Sequence, residues 1–290
     1  MRRSVGRRVA AALACAALGV SVASLSGCAQ QAQLGPLERA RSVNQSKHVA
    51  AQFADTPQVL DDPLGIETTK LFFPKSETLV LCDDTVEAQL RAASIAVATN
   101  APMMVYNPAT HGEYVRMIAD MHTVTVLTVG NVSVAPATGV VRVQRDPGGL
   151  RALGDMTALR FQEKKVQEPA SAVREIAALR QRTPTWLRGA WGDPAVLPGA
   201  VAKPFPIQSR RDANMAPQVV ATWDSSIASV ANARSYGAKV EVVPLPDPRR
   251  SEETLFAMAG LSDHPLVALG KQFGTSAQLA DRIRQAERNR

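Results

Sequence analysis

Side chains able to do chemistry are sparse in this sequence, and the densest group is Cys82, Asp83 and Asp84, at the end of the apolar run Thr78–Leu81. A thiol beside the start of a helix is a setting in which a nucleophile can be activated. The two carboxylates oppose that, because neighbouring negative charge disfavours the thiolate. Cys82 is therefore expected to be a small buried residue. Asp83 and Asp84 could ligate a cation, but no third oxygen ligand follows at a fixed spacing, and capping of the next helix is expected instead. His48, His111, His122 and His264 are scattered, with no pair at metal-binding spacing, so neither a metal nor a cofactor is predicted. Phosphate loops are missing as well: Gly148, Gly149 and Gly154 precede no dinucleotide unit, and Gly130 and Gly270 stand alone. No Gly-x-Ser-x-Gly elbow occurs. The basic pairs Arg210–Arg211 and Arg249–Arg250 could meet an anionic polymer and are expected to be solvated loop charge.

These residues must be positioned by elements whose order reads as α/β. Thr78–Leu81 is a short strand, Val86–Thr99 an Ala-rich helix, Pro102–Tyr106 a strand, Glu113–Met121 a helix, and Val124–Val129 a strand ending at Gly130. Val140–Val143 is a further strand candidate. A second block repeats the order: strand Val219–Ala221, a helix begun by Asp224 and Ser225 and running to Tyr236, strand Lys239–Val243, helix Glu252–Ala259 and strand Leu266–Leu269. Continuous apolar strands alternating with helices predict buried parallel sheets. Val80 and Val220, Asp84 and Asp224, and Gly130 and Gly270 are each 140 positions apart, which suggests two related modules, although chance likeness between β-α-β segments is a live alternative. Ser276–Arg288 closes the chain as a polar-faced helix. Asp84, Asn107 and Asp224 fall just beyond predicted strands, where open α/β sheets hold ligands.

The expected organisation is a signal over 1–27, a tether over 28–65 with one short helix between Leu37 and Phe53, a module over 66–150, an irregular connection over 151–215 and a second module over 216–290. The connection is expected to hold one helix, Ala170–Arg182, and a Pro-broken stretch carrying Trp186 and Trp191, read as core plugs rather than a groove wall.

The first residues carry Arg2, Arg3, Arg7 and Arg8, then an uncharged apolar run, Val9–Leu25, of 17 residues. This is the layout of a secretory signal, and the run is marginal for crossing a hydrocarbon core of ~30 Å. Leu25, Ser26, Gly27 and Cys28 resemble the lipobox of bacterial lipoproteins. The resemblance implies cleavage before Cys28, acylation of its thiol, and anchoring on the extracytoplasmic face of a membrane. With Cys15 removed and Cys28 acylated, Cys82 is left without a disulfide partner. The formal charge of +7 falls to +3 beyond Gly27, with 29 basic against 26 acidic residues, so bulk charge does not argue for nucleic acid.

The block from Ser76 to Asp146 resembles the cell wall-binding repeat 2 family. The residues that carry this are Leu79–Leu81 with Asp83, Asp84 and Thr85; Ala92, Ala93, Ala96 and Ala98; Asn100, Ala101 and Pro102 before Met103–Tyr106; and Val124–Gly130 followed by Asn131, Val132, Ser133 and Val134. Asn100 and Asn131 stand where the family has Gly, and Asn tolerates positive φ better than other side chains. The resemblance implies non-covalent attachment to anionic wall polymer by three packed modules, whereas this chain has room for two complete ones.

Asp83, Asp84, Asn107, Asn131 and Asp224 are therefore the candidate binding residues. The preferred expectation is a non-catalytic, lipid-anchored envelope protein that binds anionic wall polymer or another envelope protein. A solute receptor holding its ligand between two α/β lobes is the alternative. A wall hydrolase is a third reading, for which the sequence offers no carboxylate pair that can be placed across a substrate.

Overall fold

The computed structural model describes residues 34–134, 139–209 and 212–290, so the signal, Leu25, Ser26, Gly27, Cys28 and Arg210–Arg211 lie outside the described residues. The chain runs α1 (Pro36–Gln45), β1 (Pro57–Leu60), α2 (Ile66–Phe72), β2 (Thr78–Cys82), α3 (Val86–Thr99), β3 (Met103–Val105), α4 (His111–Asp120), β4 (Thr125–Val129) and β5 (Arg142–Arg145). It continues through α5 (Gly149–Thr157), β6 (Gln162–Val166), α6 (Ala172–Ala177), β7 (Thr185–Gly189), β8 (Gln218–Ala221), α7 (Ile227–Tyr236), β9 (Val240–Val242), α8 (Glu252–Met258), β10 (Leu266–Leu269) and α9 (Ser276–Arg288).

Local chemistry sets the boundaries. Thr85 caps α3 by accepting from the Ala88 amide, and the helix stops at Asn100, whose φ of 56° is the left-handed conformation expected of that residue. Ser226 caps α7 in the same way by accepting from the Ser229 amide. The helix stop at Gly237 uses a φ of 118° that glycine alone adopts freely.

All strand pairs in the three sheets are parallel. One sheet has the order β3-β2-β4-β5 and another the order β9-β8-β10-β1. Position for position these orders are the same, with β1 standing where β5 stands. The segment read as a tether therefore supplies a sheet strand, and its helix is α1. A four-residue strand that begins with Pro57 and is separated from Pro63 by two residues is too short to announce itself by periodicity. The irregular connection holds α5 and a third, reduced unit in which β6 pairs with β7 and α6 connects them. The first four residues of β6, Gln162–Lys165, are exposed, so the strand has no apolar run to reveal it. Of the helix expected over Ala170–Arg182, only α6 forms, preceded by a short 3₁₀ turn at Pro169–Ser171; the chain leaves the helix after Ala177 and Arg180 bridges to Thr183.

Helices α3, α6 and α7 pack on one another at the centre. Leu90, Ile95, Val97, Val173, Ile176, Val230 and Tyr236 meet the inner strand residues Val80, Leu127, Leu187, Val219 and Val267 in one core. This corrects the spacing between the modules. Val80 faces that core, whereas Val220 lies on the opposite side of its sheet with Leu266 and Ala268. Val219 and Ala221 are the counterparts of Val80 and Cys82, an offset of 139, because a slip of one residue reverses the face of a strand. The 140-residue offset holds for Val129 and Leu269, which both face the core ahead of Gly130 and Gly270.

Polar groups join the modules where they touch. Asn232 is fully buried on α7; its Oδ1 accepts from the Met103 amide at 2.8 Å, and its Nδ2 donates to the carbonyls of Gly65 and Met103. Ser235 donates to the Ala96 carbonyl at 2.7 Å. Residues Pro36–Arg290 form a single compact unit.

Candidate functional site

The carboxyl ends of β2 and β4 bring Asp83 and Asn131 together. Asp83 Oδ1 accepts from the Thr85 amide at 2.9 Å and from Thr85 Oγ1, and Oδ2 accepts from the Asn131 amide at 2.6 Å. The carboxylate thus ties the β2–α3 turn to the loop after β4, and the N-cap of α3 is Thr85 rather than either aspartate. Gly130 makes this approach possible: its φ is 78°, and a Cβ there would overlap the Asp83 carboxylate. The positive φ belongs to Gly130 and not to Asn131. Asp84 is exposed, and its carbonyl accepts from Gln89 Nε2. Asn107 Oδ1 accepts from the Ala109 amide, capping the 3₁₀ turn Pro108–Thr110. Asp83, Asn107 and Asn131 are occupied in turn-building.

Cys82 is buried, and burial first, then Asp83 and Asp84, push its thiol well above the ordinary range. Among the described residues no group of three or more His, Cys, Asp or Glu is arranged to hold a metal ion. Arg249 is engaged by Asp247 at 2.7 Å, which holds that carboxyl below its usual range.

Asp224 occupies a different place. It lines a cleft of about 480 Å³ at the carboxyl ends of β1, β8 and β10, with Asp61, Asp62, Ser226, Lys271 and Gln272. Asp62 is buried and committed: its Oδ2 accepts from the Thr68 amide at 2.8 Å and from Thr68 Oγ1 at 2.6 Å, while its carbonyl accepts from Ser226 and Ser229. Gln272 Nε2 donates to Thr222 Oγ1 at 2.7 Å. Asp61 and Asp224 are exposed, and their side-chain oxygens accept from no described residue. Two uncommitted carboxylates, one lysine and a fixed amide form a polar surface suited to hydroxyl-bearing ligands. Beside Asp224 stands Trp223, 51% exposed, with the Arg174 guanidinium over its ring at 5.5 Å.

Asp61, Asp62, Lys271 and Gln272 are absent from the sequence-derived site, because the segment holding Asp61 and Asp62 reads as tether. The signal was present: an Asp-Asp pair follows β1 as Asp83–Asp84 follows β2. Asp84 and Asn107 lie at the ends of the other sheet, so they do not share the Asp224 cleft. The space between the two four-stranded sheets holds α3 and α7 and a continuous core. It is not an interlobe ligand cleft.

Trp186 is buried with the fully buried Arg91 guanidinium 4.9 Å from its ring centroid, while Trp191 is 38% exposed and so does not plug the core. Arg91 Nε and Nη2 donate to the two oxygens of Asp146 at 2.8 and 2.9 Å, and Nη1 donates to the Gly149 carbonyl at 2.9 Å. This buried pair joins α3 to the end of β5.

The architecture is that of an α/β protein made from parallel β-α-β units around three central helices, with a polar cleft at the strand ends of one sheet. No family model matches the chain, and no curated protein matches it. Among solved structures, Cwp6 from Clostridium difficile aligns with a TM-score of 0.45 and 12% identity, over 79% of this chain and 48% of that chain. The chain therefore spans about half the length of that structure. No helix among the described residues is long and apolar enough to cross a membrane.

Proposed function

We propose that this is a non-catalytic cell-envelope protein, anchored through acylated Cys28, whose modules attach it to a hydroxyl-rich segment of a wall polymer. The observation that carries the reading is the cleft at the ends of β1, β8 and β10. Its free side chains, Asp61, Asp224 and Lys271, are solvent-exposed hydrogen-bonding groups. Carboxylates accept from adjacent hydroxyls, and the lysine donates to their oxygens. Three carboxylates against one lysine make the cleft acidic, so the stretch bound there is neutral or cationic even if the polymer carries anions elsewhere.

Retention on isolated cell wall tests this. The mature protein should be held more strongly than a charge-matched control, and Asp61→Asn with Asp224→Asn should weaken retention roughly 5- to 30-fold, the loss of two hydrogen bonds to charged groups at about 0.5–1 kcal/mol each once solvent exposure is allowed for. Retention equal to the control, or untouched by the double substitution, overturns the assignment of this cleft.

A further inference from the structure

Two grooves flank α1, the first described helix after Cys28. One, of about 500 Å³, lies between α1, β9 and α8; its floor includes Val243 and Phe256, and Arg39, Lys47 and Lys239 line it with Glu241 and Glu253. The other, of about 310 Å³, lies between α1 and α9 and is lined by Arg41, Arg284, Arg288 and Glu287. Together they present six cations against three carboxylates. Glu38 and Asp281, which pair with Arg41 and Arg284, bring the acids to five, so the surplus rests on the cations that have no acidic partner.

Some of these cations are already paired. Arg41 meets Glu38 at 2.9 Å and Glu287 at 3.4 Å, Lys239 meets Glu241 at 3.0 Å, and Arg284 meets Asp281. Lys47 donates to Gln218 Oε1. Arg39 and Arg288 form no ion pair among the described residues. Val43, on the same helix and lining the first groove, is 61% exposed. Basic side chains around an exposed aliphatic residue on a surface helix are the pattern of a membrane-apposed face.

We propose that this α1 face docks on the headgroups of anionic phospholipids in the membrane that holds the anchor. The proposal rests on the reading of Cys28 as acylated. Seven residues separate Cys28 from Pro36. Even fully extended, that stretch reaches roughly 29 Å, so α1 is the described helix whose distance from the anchor the covalent chain limits most tightly. Charge supplies the second argument, because each Lys or Arg near an anionic leaflet strengthens association about fivefold. The acidic cleft at the ends of β1, β8 and β10 has the opposite sign and would be repelled by the same surface.

The test uses the full lipidated protein on vesicles of phosphatidylcholine alone and of phosphatidylcholine with phosphatidylglycerol, read by amide hydrogen exchange. The α1 amides should exchange at least fivefold more slowly on the anionic vesicles, and high salt should remove the difference. Arg39→Gln with Arg288→Gln, which removes the two unpaired cations, should abolish it. Arg151→Gln on α5, a 95% exposed side chain, should leave it intact. Equal exchange on both vesicles, or indifference to the double substitution, overturns the proposal, as does protection by a soluble polyanion but not by vesicles. The mass of the native chain reads the anchor separately. An unacylated chain whose α1 is still protected by phosphatidylglycerol supports the docking face while overturning only the anchor.

Discussion

Asp146→Ala should be among the most damaging single substitutions in the protein. The Asp146 carboxylate accepts two hydrogen bonds from Arg91 and one from the Gly148 amide at 3.3 Å, and the side chains of Arg91 and Asp146 are 0% and 2% exposed. Removing it leaves a guanidinium inside the protein with the Gly149 carbonyl and the face of Trp186 for company. Loss of one partner from a buried ion pair costs about 3–5 kcal/mol, mostly the penalty of stranding the other charge. At 2–4 °C per kcal/mol for a unit of this size, the melting midpoint should fall roughly 6–20 °C. Replacing both residues, Arg91→Met with Asp146→Leu, removes the charge together with its partner and should recover most of the loss. The assay is urea unfolding followed by tryptophan fluorescence for the single and double variants, analysed as a double-mutant cycle. A single-variant loss below about 1 kcal/mol, or a double variant as unstable as the sum of the singles, would refute the reasoning.

Further expectations concern separate parts of the fold. Asp83→Ala should cost about 2 kcal/mol and speed exchange of the Asn131 amide, whereas Asp84→Asn should stay within about 0.5 kcal/mol by thermal unfolding. Cys82 should resist alkylation in the native protein and react once unfolded. Because its folded-state pKa is raised, its contribution to stability is full below the unfolded thiol pKa of roughly 8.5 and is lost as pH climbs above it. The fall in urea midpoint on the alkaline side should accordingly be smaller in Cys82→Ala, and an identical slope would count against it. Asn232→Ala should cost about 3 kcal/mol, since the Met103 amide and the Gly65 carbonyl lose a buried partner together; hydrogen exchange at Met103 is the direct readout.

How much of this was legible before the structure depended on burial. β2, β4, β8 and β10 are buried along their whole length, so each shows an apolar run, and their positions agree with the sequence to within a residue. α3 and α9 were legible for a different reason, their Ala-rich or polar-faced composition, although the caps are Thr85 and Thr275 and the aspartates expected to cap α3 do not do so. The edge strands β1 and β6 carry partly or fully exposed residues and give no such signal. Their absence from the sequence reading hid both the third β-α-β unit and the Asp61–Asp62 side of the cleft. The site residues divide the same way. Asp224 stands in the cleft, whereas Asp83 and Asn131 form a turn bracket, and carboxylates serve in turns as readily as in ligand sites. Residue type could not tell those roles apart; hydrogen-bond partners could.

That β1 completes the sheet of β8, β9 and β10 has a kinetic consequence. Leu60 meets Leu269 across more than two hundred positions, so an emerging polypeptide must hold the first described strand unpaired until the last has been made. Closing so wide a span is slow relative to forming the local β-α-β units, and assembly of this sheet should be the late step of refolding. The two extremities of the protein are consequently interdependent: trimming the tail back past Leu266 would strip the head of its neighbour and leave an unprotected strand near the front of the chain.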